Sequence, residues 1–420
     1  MISPDSKIFM DAVKGALGTD GENIEININK KEQLIEVLNM AREQSMLPIV
    51  CDFIAGTNSY ERFQKEIAPY KRQTILLMIS QTQRTSFFFE IYKKLLQNEI
   101  KPVVVKGIVL RNLYPKPDCR YSNDEDLLID KEDFMKCHEI LKKEGFICEN
   151  DVENMDKKKI PYEVAYYNSI TKVRIEIHTG LLPSDNNAFK GLNNRFKKAV
   201  DKAEKREAGT GWVWTLNETD HFLFLLSHSY KHFIYCGFGV RQLCDLLIFA
   251  QKYNSLINWD YVETVAQENR LYRFLINLFD IGDRYLGFNS SEIPLKDRQL
   301  IVADSENLLV DMLDSGTFGK SSMGRIHSSK ITISAANKGF SEKNKKVRLS
   351  IKSSLFPSKS YMKQKYQYLQ KRSYLLPVAY CHRIIRYLKQ KKTQSRYSKE
   401  IDSIAMGKKR MELMRQYGVL

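Results

Sequence analysis

No apolar run in this chain approaches the roughly 20 residues that a membrane-spanning helix needs, which argues against a transmembrane segment. The opening stretch, "MISPDSKIFMDAVKG", lacks the basic start and long apolar core of a secretion signal, so a cytoplasmic protein is expected. Cysteine is sparse. Cys51, Cys119, Cys137, Cys148, Cys236, Cys244 and Cys381 are odd in number and form no C-x-x-C pair, which speaks against a disulfide framework or a structural zinc site. No internal repeat is apparent. "CGFGV" offers only G-x-G in a helix–helix turn, without the further glycines of a nucleotide loop.

Acids are scarce in one region only. Residues 321–420 hold 24 Lys and Arg against 4 Asp and Glu, a charge of +20, whereas the chain as a whole carries +16. The first 320 residues are therefore near neutral, at −4. With 43% hydrophobic and 11% aromatic residues the chain is a folded one, and 420 residues exceed a single simple core.

Periodicity divides the chain. Residues 1–100 read as a helical lead-in: Leu34, Val37, Leu38 and Ala41 recur at helical spacing, as do Phe88, Ile91, Leu95 and Leu96. From Pro102 the texture changes. "PVVVKG", "EDLLID", "FICEN", "YEVAYYN" and "VRIEIH" read as strands, with helices at "IVLRNLY" and "KEDFMKCHEILKKEG". The fold class is α+β, a small mixed sheet over residues 101–188 with helices on one side, flanked by helical regions. Residues 189–316 read as helical, and Asn217 with Asp220 forms an approximate capping box before "FLFLLSHSYKHF". Residues 317–360, rich in Ser, Lys, Gly and Asn, read as a linker, and 361–420 as a basic helical tail.

The chemistry concentrates in "YSNDEDLLID". Asp124 and Asp126 are two apart at a strand start, so both carboxylates point to one face and Glu125 to the other. Two close carboxylates repel each other, and a divalent cation removes that penalty. In "VRIEIH", Val173, Ile175 and Ile177 alternate with Arg174, Glu176 and His178, so Glu176 is available to complete a metal site or to accept a proton. Upstream, Lys106-Gly107 ends a strand before a helix. There the glycine lets backbone approach a phosphate, the helix start supplies N–H donors and Lys106 adds a point charge. An acidic triplet alone is more often solvated surface; the order of all three motifs points to metal-assisted phosphate chemistry.

This order resembles the nucleotidyltransferase superfamily with the DNA polymerase beta-like catalytic fold. More narrowly it is similar to a bacterial family of uncharacterised nucleotidyltransferases, whose members often lie among surface-polysaccharide genes. The residues that carry the likeness are Lys106-Gly107, Tyr114-Pro115, Arg120, Asp124, Asp126, then Glu176 and His178, within roughly residues 30–320. The superfamily's usual Gly-Ser or Gly-Gly is Lys-Gly here. An apolar residue is more usual where Glu125 stands; that acid should face away from the metals and meet a basic group. The resemblance implies two Mg²⁺ ions on Asp124, Asp126 and Glu176, and transfer of a nucleoside monophosphate from a nucleoside triphosphate such as ATP to an unidentified acceptor. It implies nucleotide binding by Lys106, Gly107, Arg120 and Ser122. Surface-polysaccharide metabolism is the implied setting. The rivals are a toxin-like transferase acting on tRNA or protein, and a non-catalytic nucleotide- or glycan-binding protein.

The candidates for the substrate side are His178 and, from the helical half, His228, Lys231, His232 and Arg241. His228 and His232 share a helix face but lack the glutamate base of a zinc protease, and Lys231 opposes a cation. They read as a polar cleft wall or as ordinary hydrogen-bonded helix residues. Arg241 and Asp245, also four apart, read first as an ion pair, with Arg241 otherwise reaching an anionic substrate. In the tail, Val378, Cys381, Ile384, Ile385 and Leu388 form an apolar stripe among Arg383, Arg386, Lys389, Lys391 and Lys392. Three readings stand: a helix docked on the body, a peripheral contact with an anionic inner-membrane face, or RNA binding aided by the tyrosines of "YMKQKYQYL".

Overall fold

The computed structural model describes residues 2–19, 24–149, 152, 160–296, 304–316, 323–339, 362, 373–380 and 395–420. Helices α1 (Pro4–Leu17), α2 (Lys31–Glu43), α3 (Leu47–Ala55), α4 (Asn58–Arg62) and the long α5 (Gln64–Gln97) open the chain. The stripe of α2, Leu34, Val37, Leu38 and Ala41, is fully buried. Each of its larger members contributes about 1.5–3 kcal/mol of transfer energy.

Seven strands form one sheet. They are β1 (Val103–Val104), β2 (Glu125–Leu128), β3 (Ile147–Cys148), β4 (Glu163–Tyr167), β5 (Arg174–His178), β6 (Glu204–Ala208) and β7 (Gly211–Thr215), in the spatial order β3-β4-β5-β2-β1-β7-β6. Helices α6 (Ile108–Arg111) and α7 (Phe134–Lys143) interrupt them. The sheet is mixed: β2 runs parallel to β5 and antiparallel to β1, and β1 runs parallel to β7. The five strands expected before residue 180 are all present, and the fold is α+β. The hairpin β6–β7 corrects the purely helical reading of 189–316. Its physical signal is the Gly209-Thr210-Gly211 turn followed by alternating Trp212, Val213 and Trp214. Val213 is buried and Trp212 exposed, which is the period of a half-buried strand.

The two sheet faces have different tasks. Val104, Leu127, Val164, Tyr166, Ile175 and Ile177 pack with Phe88, Ile91 and Leu95 of α5 and with Phe134, Cys137 and Leu141 of α7. Alternation places Asp126, Glu163, Glu176 and His178 on the opposite face. That face meets the helical half, α8 (Lys190–Arg195), α9 (Glu218–Tyr235), α10 (Val240–Lys252), α11 (Trp259–Glu268) and α12 (Tyr272–Leu286). The N-cap of α9 is as expected: Asn217 Oδ1 accepts from Asp220 N at 2.9 Å. One core joins α1–α3, α9–α12 and the C-terminal Leu413, Met414, Tyr417 and Val419.

Part of the expected linker is ordered structure. Met323–Gly339 is a helix that packs against a helix over Ser395–Gln416 and against α9. Small buried residues, Ser328, Thr332, Ala335 and Ala336, line its inner side. At Gly407 on the facing helix a Cβ would lie 2.8 Å from Ile331 Cδ1, so a side chain there would require the end of Ile331 to shift. Most of the apolar stripe 378–388 and the tyrosine-rich 361–369 fall outside the described residues, whereas the end of the tail is docked in the core. Among the described residues no helix is long and apolar enough to cross a membrane, and the six described cysteines are free thiols.

Candidate active site

Register builds the site. On the parallel pair β2–β5, Asp126 stands opposite Glu176 and Leu128 opposite His178. On the antiparallel pair β4–β5, Glu163 stands opposite His178. Asp126, Glu176 and His178 each offer one ligand atom, and these atoms all lie within 4.8 Å of one another. Asp126 is buried; its Oδ1 accepts from His178 Nε2 at 3.0 Å and its Oδ2 pairs with Lys106 Nζ at 3.0 Å. Among the described residues His178 Nδ1 has no hydrogen-bond partner. Asp124, expected among the ligands, is half-buried just before β2 and is not in that trio, but its charge acts on Glu176, Lys106 and Arg241.

The electrostatics are those of a site short of positive charge. Burial, then Asp126, Asp124 and Glu163, push the Glu176 carboxyl up to about 7. Burial works against the Asp126 carboxylate, but Lys106 and His178 hold it well below the usual range. For Lys106, burial opposes the charge, and Asp126, Asp124 and Glu176 together keep the ammonium above the ordinary lysine value.

Helix α9 forms the opposing wall. Lys106 Nζ lies 3.1 Å from His228 Nε2, and His232 Nε2 lies 3.2 Å from the same nitrogen. Burial first, then neighbouring cations, push both imidazoles well below the ordinary histidine value, so both are neutral and Lys106 donates to His228. Lys231 pairs with Glu163 at 3.5 Å. His221, one helical stretch earlier, donates Nε2–H to Val105 O at 2.8 Å and ties α9 to the end of β1. Burial lowers His221 to about 4, which keeps it neutral.

The other predicted residues have structural partners. Arg120, expected at a phosphate, is 3% exposed and forms a bidentate pair with Asp245: Nε–Oδ1 is 2.9 Å and Nη2–Oδ2 2.6 Å. It also donates to Ser122 Oγ, so both residues stiffen the approach to Asp124. Tyr114 Oη donates to Asp245 at 2.8 Å. Asp245 thus takes Arg120, 125 residues away, as its close ionic partner, and Arg241 Nη1 donates to Tyr121 O at 2.6 Å. Gly107 adopts φ 55°, ψ −116°, a conformation suited to glycine. The N–H expected for phosphate after it, that of Ile108, donates instead to Glu125 Oε2 at 2.9 Å. Glu125 faces away from Asp126 and meets a basic group, Arg111, at 2.5 Å.

A family described as uncharacterised nucleotidyltransferase matches residues 30–287. The chain belongs to that family. No curated protein and no solved structure matches it. Membership makes the chain a transferase of the nucleotidyl class, and the group of buried Asp126 and His178 with half-buried Glu176 is its candidate metal centre. Glu163 escaped the sequence reading. Its signal, strand alternation in "YEVAYYN", becomes informative only once β4 is registered against β5.

Proposed function

We propose that this chain transfers a nucleoside monophosphate from a Mg²⁺-bound nucleoside triphosphate to an acceptor hydroxyl. The observation that carries the reading is the convergence of Asp126 and Glu176 on one sheet face beside Lys106. The residues fit a divalent ion. Two carboxylates are held close enough that Glu176 resists ionising, which a cation would relieve, and His178 has a buried ring nitrogen without a partner among the described residues. Asp126, Glu176 and the adjoining Asp124 would hold two Mg²⁺ ions, which neutralise phosphate charge and make the acceptor hydroxyl more acidic. Lys106 presents an ammonium for the phosphates, backed by the neutral His228 and His232. Glu176, ionised once a cation offsets its acidic neighbours, would take the proton as the acceptor oxygen bonds to the α-phosphorus. The bond from that phosphorus to the α–β bridging oxygen breaks, and pyrophosphate leaves. The assembled Lys106, Asp126 and Glu176 favour a working enzyme over a binding-only protein.

The test is incubation with each α-labelled nucleoside triphosphate, Mg²⁺ and fractionated cell extract. Label is expected in one acceptor fraction, glycan, tRNA or protein, and that fraction names the acceptor class. Asp126→Asn and Asp124→Asn should each cut transfer by at least about 10²–10³, as loss of preorganised charge stabilisation does. Full activity in both variants would remove the assignment.

A further inference from the structure

On the face of β2 turned away from the cleft, Glu125 is 7% exposed and Arg111 2%. Glu125 uses both oxygens: Oε2 accepts from Ile108 N at 2.9 Å and Oε1 from Arg111 Nη2 at 2.5 Å. Arg111 Nη1 donates to Thr85 Oγ1 at 2.7 Å. One turn earlier on α5, Gln81 Oε1 accepts from Ser122 N at 2.8 Å. Both ends of the segment 107–124 are therefore tied to the same helix. At Gly107 a Cβ would lie 1.7 Å from Glu125 Oε2, so the turn and the carboxylate are fitted to each other.

Resting on the transferase reading above, we infer that Glu125, with Arg111, is a positioning residue. Its carboxylate fills the anion place at the start of α6. It thereby locks the Lys106-Gly107 turn to the strand that carries Asp126 and follows Asp124. Ile108 N–H is then no phosphate ligand, and the phosphates are met from the α9 side, by Lys106. The need is geometric. Lys106 and Asp126 must hold their 3.0 Å relation while substrate arrives, and Glu125, through Ile108 N–H, is the side chain that ties the backbone just after Gly107 to β2. A misplacement of about 1 Å in such a site costs about 10²-fold in rate.

The decisive variant replaces the pair together, Arg111→Met with Glu125→Leu. Exchanging a buried ion pair for apolar side chains of similar volume is commonly neutral or stabilising, so fold and function are read apart. Because Ile108 N–H loses its acceptor, a modest fall in melting temperature with the fold retained is expected. Turnover should fall about 10–100-fold while KM for the nucleoside triphosphate stays within about twofold. Affinity for Mn²⁺, measured by calorimetry, should weaken about tenfold, as loss of outer supporting contacts does. Wild-type turnover and wild-type Mn²⁺ affinity in the folded variant would overturn the inference. If the double variant does not fold, Glu125→Gln, which keeps an acceptor for Ile108 N–H but loses the charge that holds Arg111, is expected to lower turnover and Mn²⁺ affinity by a smaller factor, about threefold, and wild-type values of both would overturn the inference. A wild type that transfers no label from any nucleotide defeats the functional reading instead, and Mn²⁺ affinity then decides the positioning claim.

Discussion

At the scale of the residue, Glu176 carries the most consequence. A carboxyl lifted from 4.5 to about 7 binds more protons folded than unfolded between those values. Without a divalent ion, the stability it contributes is therefore present below pH 4.5 and is lost as pH rises towards 7. The loss is bounded at about 3 kcal/mol. Asp126, shifted the other way, acts only at lower pH, where its carboxylate protonates, and leaves this window untouched. Denaturant midpoints in chelator are expected to fall as pH rises from 4.5 to about 7, the span set by that shift. Mg²⁺ should restore stability at the upper end, and Glu176→Gln should flatten the dependence. An unchanged slope in the variant would assign the titration elsewhere. Asp126 and Glu176 were legible because each sits at a fixed parity on a strand with an apolar opposite face. Arg120 was not, because its partner Asp245 lies 125 residues away and no local pattern marks that pairing.

At the scale of the element, α9 packs over Lys106, and its geometry is fixed at both ends. Asn217 caps its start. At its end Arg410, 1% exposed, donates Nη2 to Phe233 O at 2.6 Å and Nη1 to Tyr235 O at 3.1 Å, satisfying carbonyls that the helix itself leaves open. Arg410→Met should cost about 2–4 kcal/mol, as expected for losing its charge-assisted bonds to Phe233 O, Tyr235 O and Ser328 Oγ and leaving buried acceptors unpaired. Chemical denaturation measures this; a loss below about 0.5 kcal/mol, the range of surface substitutions, would contradict the capping role. The sequence announced the start of α9 because an Asn cap is local. It was silent on the end, because the cap comes from the far C-terminus. The hairpin β6–β7 was legible in principle from its glycine turn, but its first strand, "EKREA", is polar along its length and masks the alternation.

At the scale of the whole molecule, the basic excess of the last hundred residues masks a structural C-terminus. Leu413, Met414, Tyr417 and Val419 are core residues, and Tyr417 Oη donates to Asp304 O at 2.6 Å. Composition exposed the charge but not the docking, since four apolar positions among many cations carry little periodic signal. The body brings three parts together: a sheet with apolar and acidic faces, an α5 that ties the segment 107–124, and α9 above Lys106. Their meeting point is the central claim. The most direct measurement is a crystal structure with Mn²⁺ and a non-hydrolysable nucleoside triphosphate, read by anomalous scattering. An anomalous peak is predicted at about 2.0–2.2 Å from carboxylate oxygens of Asp126 and Glu176, with phosphate beside Lys106. Nucleotide bound elsewhere, or a metal peak away from both carboxylates, would contradict the account.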